Sequence, residues 1–130
     1  MNKFVKPINL HLTISIFIVF NIALIYGFKP DLWFDVKVLT TDEHSIFKAI
    51  MGVYIAFSSL WFVGITKEKF WQTATISNFL FMFGLAFGRI VSIIFDGIPS
   101  TIFLLGTVGE LTLGFYAFYQ LKKSKVQVGF

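Results

Sequence analysis

No cysteine occurs in the chain, and that absence removes disulfides, thiolate nucleophiles, thiolate metal sites and iron–sulfur clusters together. Charge is scarce as well. Of 130 residues 14% are charged and 56% hydrophobic, which is more apolar surface than one small water-soluble core can hide. The strand-type alternation that a membrane barrel needs is missing. Internal repeats, low-complexity tracts and a second-domain boundary are missing too, so one domain over 1–130 is expected. Histidine occurs twice, with His11 near the start of the first apolar run and His44 near the opposite boundary of the second. Nearly a membrane thickness separates them, so they cannot share an iron or a zinc, and no cofactor or metal is expected.

Long apolar runs dominate what is present: 8–28, 45–65, 71–95 and 101–121. A helix needs about 20 residues, rising 1.5 Å each, to cross a bilayer, and each run is long enough. Backbone in lipid must satisfy its own hydrogen bonds, which makes helices the default. The mean hydropathy of +0.78 and the 18 phenylalanines suit surfaces that face acyl chains. A basic leader containing Lys3 and Lys6 would also fit a cleaved signal peptide, but the first run is too long for one and lacks a small-x-small cleavage site. The expected architecture is an all-α, antiparallel four-helix integral membrane bundle.

Lysine placement orients it. With the amino terminus inside, Lys3, Lys6, Lys67, Lys69, Lys122, Lys123 and Lys125 are cytoplasmic, whereas only Lys29 and Lys37 lie in outer segments. That asymmetry follows the positive-inside rule and places both termini in the cytoplasm. Lysines clustered beside apolar runs point to a membrane surface and lipid headgroups, despite a net charge of +4. They do not point to nucleic acid. The short segments 66–70 and 96–100 force antiparallel neighbours, while 29–44 has room for structure of its own. Trp33, Phe34, Trp61 and Trp71 are expected as interfacial anchors or lipid-facing bulk. His11 is expected to pack at a helix or at the interface, and His44 to start the second helix beside Asp42 and Glu43.

Ten of the eleven basic residues are lysines, and the lone arginine, Arg89, sits within an apolar run. An arginine at the centre of a membrane helix costs about 2.5–3.5 kcal/mol on insertion scales, so it is expected to be paired. Counting back from Asp96 places Arg89 about 10 Å deep, and counting forward from Thr101 places Glu110 about 14 Å deep on the next helix. An intramembrane salt bridge between Arg89 and Glu110 follows. At about 100° per residue, Asn78, Arg89, Ser92 and Asp96 share one polar stripe. Gly106 and Gly114 flank Glu110 at i−4 and i+4, marking an inward face that permits close approach. Lys48, Gly52, Ala56 and Ser59 are expected to line the second helix in the same inward manner. Gly84 and Gly88 form a Gly-x-x-x-Gly of the helix-packing type.

The string Gly88-Arg89-Ile90-Val91-Ser92-Ile93-Ile94-Phe95-Asp96-Gly97-Ile98-Pro99-Ser100, followed by Glu110, resembles the small bacterial membrane proteins grouped as domain of unknown function 4345. That family tends to carry a basic residue, an alanine, an aromatic and paired glycines on its second helix. Here Lys48-Ala49-Ile50-Met51-Gly52-Val53 stands in that place, with lysine for the usual arginine and a single glycine. Lysine offers a point charge where arginine would offer a fork. The resemblance implies a four-helix fold, a multi-pass place in a bacterial inner (plasma) membrane and no established activity.

Three function classes follow. In the first, Arg89, Glu110 and Lys48, with Asn78, Ser92 and Asp96, bind a small amphipathic or anionic lipid-like ligand in the outer half of the bundle. In the second, the chain is a proton- or ion-coupled transporter working as a homo-oligomer through Glu110. In the third, it is an accessory subunit of a larger membrane complex. A packing role for the ion pair competes with all three. An enzyme is the least supported class, because no nucleophile stands beside a base.

Overall fold

The computed structural model describes residues 2–128, with side chains through residue 124. Lys125, one of the lysines expected on the cytoplasmic side, lies outside the described side chains. Among the described residues, four antiparallel α-helices make up most of the chain: α1 Leu10–Phe28, α2 Thr41–Thr66, α3 Trp71–Asp96 and α4 Thr101–Val128. All four are long and apolar enough to span a bilayer, and this is a multi-pass membrane protein. Phe17, Phe87, Phe95, Leu105 and Phe115 stand exposed along the helices, as lipid-facing side chains should. α1 begins and α4 ends at one end, called here the terminal end; the α1–α2 and α3–α4 connections form the far end.

Helix boundaries have local causes. α2 starts four residues before the apolar run, because Thr40 and Glu43 form a capping box: the Thr40 hydroxyl accepts from Glu43 N at 3.1 Å, and the Glu43 carboxylate accepts from Thr40 N at 3.0 Å and Leu39 N at 2.6 Å. His44 lies in that first turn, exposed. α3 ends where Gly97 adopts φ 101°, a left-handed conformation that glycine takes without a Cβ penalty. Pro99 then bars continuation until Ser100 accepts the first amides of α4.

Two glycines set how the helices splay. At the far end Gly27 lets α1 close onto Met51 of α2, and at the terminal end Gly64 lets α2 close onto Ala74 of α3. α1 pairs mainly with α2, and α3 with α4; α2 and α3 meet at Gly64–Ala74 and Trp61–Ser77 toward the terminal end and leave a cleft between them beside Arg89. Cavities open in that cleft and between α1 and α4.

Several faces differ from the sequence reading. Trp61 and Trp71 are core residues and not interfacial anchors: Trp61 is fully buried and donates to Ser77 Oγ at 3.0 Å, while Trp71 donates to the Ile8 carbonyl at 3.2 Å. Phe34 is also buried, stacked between Tyr26 and Phe103 at ring distances of 5.0 and 4.9 Å. Only Trp33 of these four stays exposed. On α2 the stripe of Lys48, Gly52, Ala56 and Ser59 faces outward, because Tyr54, Ser58 and Trp61 occupy the inward face. Gly84 and Gly88 are exposed too, with open space where a Cβ would stand. Between helices in lipid, large aromatics gain as much by packing on protein as small residues do, so residue size alone does not fix the inward face.

Candidate functional site

Arg89 meets Glu110 as their matched depths require. The Arg89 Nε donates to both Glu110 carboxylate oxygens, at 2.9 and 3.0 Å, joining α3 to α4 across the tight turn. The side chains retain 22% and 11% of their exposure, so the pair is largely removed from solvent without being sealed. Phe103, one turn into α4, carries the guanidinium on its ring face with the central carbon 5.1 Å from the centroid. Only one edge of the guanidinium is used in this way. Its terminal nitrogens reach no second carboxylate among the described residues; the Tyr26 hydroxyl stands close enough to accept from the guanidinium, and arginine's five donors leave others free.

Those nitrogens belong to a side chain that lines two cavities. The first, about 430 Å³, is a cleft between α2 and α3, walled by Ile50, Tyr54, Gly84, Gly88, Ser92 and Pro99. The absence of side chains at Gly84 and Gly88 helps to make that space. The second, about 290 Å³, is a slot between α1 and α4, walled almost wholly by apolar groups such as Val19, Ile22, Met82, Leu105 and Leu113, with Glu110 and Gly106 on its α4 side. Tyr26, Tyr54, Leu85, Arg89 and Phe103 line both. Small-ligand pockets typically measure roughly 300–1,000 Å³ and combine apolar walls with a few convergent polar groups. Phe34 and Trp33 of the α1–α2 connection close the far end of the slot.

The other candidate residues fall in different places. Ser92 lines the cleft, with its hydroxyl donated to Asp96 at 2.9 Å, and Asp96 itself is exposed at the end of α3. Lys48 lines neither cavity; its ammonium donates to the Gly27 carbonyl at 3.0 Å, close to the Phe28 ring, and so holds the end of α1. Asn78 is fully buried but lies eleven residues, about 16 Å, along α3 from Arg89. It sits in the half of the bundle where His11, fully buried, shares a hydrogen bond of 3.2 Å with Thr75. The sequence reading missed Tyr26, Tyr54 and Phe103. Tyr26 and Tyr54 had a signal in their spacing, since Ser15, Val19, Ile22 and Tyr26 follow one face of α1 and Tyr54, Ser58 and Trp61 one face of α2, whereas Phe103 had none.

Among the described residues no group of histidine, aspartate and glutamate side chains could hold a metal ion. The chain is matched over residues 8–121 by the family model described as Domain of unknown function (DUF4345). No curated protein and no solved structure matches it. Since the match spans most of the chain, the protein belongs to that family.

Proposed function

We propose that this member of the DUF4345 family binds a small amphipathic ligand with an anionic headgroup at Arg89, with the ligand's apolar part in the slot between α1 and α4. A single observation carries the reading: a guanidinium tied to Glu110 by one nitrogen, with the Tyr26 hydroxyl beside it, keeps donors to spare where a partly polar cleft meets an apolar slot. Arginine suits a phosphate or carboxylate because its fork forms paired, charge-assisted bonds. Glu110 fixes the fork's direction and offsets part of its charge, so that the headgroup meets a prearranged donor. The lysine distribution supports a bacterial inner-membrane protein with both termini cytoplasmic, and Arg89 then lies in the outer half of the bilayer.

The test uses purified protein in neutral detergent and a matched pair of single-chain probes, dodecyl phosphate and dodecyltrimethylammonium. Only the phosphate should bind, and Arg89→Gln should weaken it roughly ten- to a hundredfold, the equivalent of one lost charge-assisted bond of about 1.5–3 kcal/mol. Glu110→Gln should leave binding intact or tighter. Equal binding of both probes would refute the assignment.

A further inference from the structure

Of the lysines read above as a membrane-surface charge, Lys3, Lys6 and Lys69 line one cavity at the terminal end. The segment before α1 is fastened to its neighbours: a 3-10 turn at Lys3–Val5 is capped by Asn2, Phe4 lies against the Phe62 ring at 5.8 Å, and the Phe4 carbonyl accepts from Thr13 Oγ1 at 2.6 Å. Lys3 Nζ reaches the Thr66 carbonyl at 3.4 Å, and the Pro7 carbonyl accepts from the Tyr116 hydroxyl at 2.7 Å. This segment thereby forms a fixed wall against the α2–α3 turn. Between them lies a space of about 480 Å³, lined among others by Lys3, Lys6, Lys69, Asn9, Trp71 and Gln72. Three lysines line it against one acidic residue, Glu68.

Backbone charge adds to theirs. α1 and α3 both begin on this cavity, and neither Asn9 nor Phe70, the residues at their N-caps, caps its helix through a side chain. Two helix N-termini without a side-chain cap present positive dipole ends. The Thr66 end of α2 opposes them, and Lys3 answers its carbonyl. Asn9 supplies a different signal. It is more than nine-tenths buried, its Nδ2 is donated to the Lys3 carbonyl at 2.9 Å, and its Oδ1 has no partner. That oxygen only accepts, so a phosphate oxygen cannot satisfy it. A hydroxyl can.

We infer that this cavity is a second binding site, specific for the headgroup of an anionic phospholipid that carries both a phosphate and a free hydroxyl, of the phosphatidylglycerol type. The lysines and helix N-termini take the phosphate, and Asn9 Oδ1 accepts the hydroxyl. A choline or ethanolamine headgroup would bring a cation against three ammonium groups. A soluble phosphate shares the phosphate chemistry, but the cavity lies where the helices enter their apolar stretches, with Ile8 and Ile65 in its wall, which places it at headgroup depth. Basic pockets between membrane helices hold anionic headgroups by this same combination.

The test follows thermal unfolding of the full chain in dodecyl maltoside with added phosphatidylglycerol, phosphatidic acid, phosphatidylcholine or inorganic phosphate. Phosphatidylglycerol should raise the midpoint most, since a ligand bound only to the folded state stabilises it in proportion to occupancy. Lys6→Gln with Lys69→Gln should remove most of that rise, and Lys122→Gln with Lys123→Gln, equal in charge lost, should not. Asn9→Leu should level phosphatidylglycerol with phosphatidic acid. Should Asn9→Leu fail to fold, the lysine pairs alone decide. Lipid held at Arg89 contributes equally to both lysine pairs and cancels between them, so this result does not depend on the first site. A phosphatidylcholine effect equal to that of phosphatidylglycerol, an unchanged rise in the Lys6/Lys69 variant, or equal protection by inorganic phosphate would each overturn the proposal.

Discussion

The two ends of this bundle handle positive charge in opposite ways. At the far end a lone arginine is buried, paired with one carboxylate and stacked on one ring, so its cost and its specificity are concentrated in a few contacts. At the terminal end exposed lysines surround a polar cavity whose walls are fixed by hydrogen bonds between distant parts of the chain. A single substitution should therefore act strongly at the first end and mainly through ligand at the second. Helix spacing follows the same division, being open beside Arg89 and closed around Gly64.

The largest effect should come from removing one partner of the buried pair. Glu110→Leu leaves an uncompensated guanidinium and should cost about 3–5 kcal/mol of stability, as read by denaturation in detergent. Combining it with Arg89→Leu should recover most of the loss, because apolar replacement of a buried pair is often close to neutral, yet dodecyl phosphate binding should be lost with the guanidinium. Recovery of stability together with binding would show the pair to be packing alone.

Next in size, Gly64→Ala drives a Cβ into Ala74, whose own Cβ cannot swing away; overpacking of this kind costs about 1–3 kcal/mol. Gly84→Ala meets nothing and should be neutral or stabilising by up to about 1 kcal/mol, the helix-propensity difference. A similar loss at both positions would contradict the splayed arrangement. Thr40→Ala should cost about 1 kcal/mol by opening the capping box, detectable as earlier amide exchange at the start of α2. The smallest effect is expected at Asn78, whose side-chain atoms have no partner: Asn78→Leu should be neutral or slightly stabilising and should leave dodecyl phosphate affinity unchanged.

What could be read from sequence separates along the same physical line. Span lengths and the Arg89 to Glu110 match follow from rise per residue and a short turn, quantities that lipid does not alter. Which face of a helix points inward does not follow, because in lipid an apolar side chain is equally at home on either side. Trp61, Trp71 and the Lys48 stripe were misplaced for that reason. The early start of α2 was legible in Thr40-x-x-Glu43 but masked by reading hydropathy first. Phe34 and Phe103 became part of the site through a stacking contact between a loop and a distant helix, which no local pattern announces.

A structure determined with bound dodecyl phosphate would decide most directly whether Arg89 is a ligand-holding group. The account predicts phosphate oxygens within hydrogen-bond distance of the two terminal nitrogens of Arg89 and the alkyl chain lying between α1 and α4. Phosphate found away from Arg89, or both terminal nitrogens engaged by the protein itself, would contradict it.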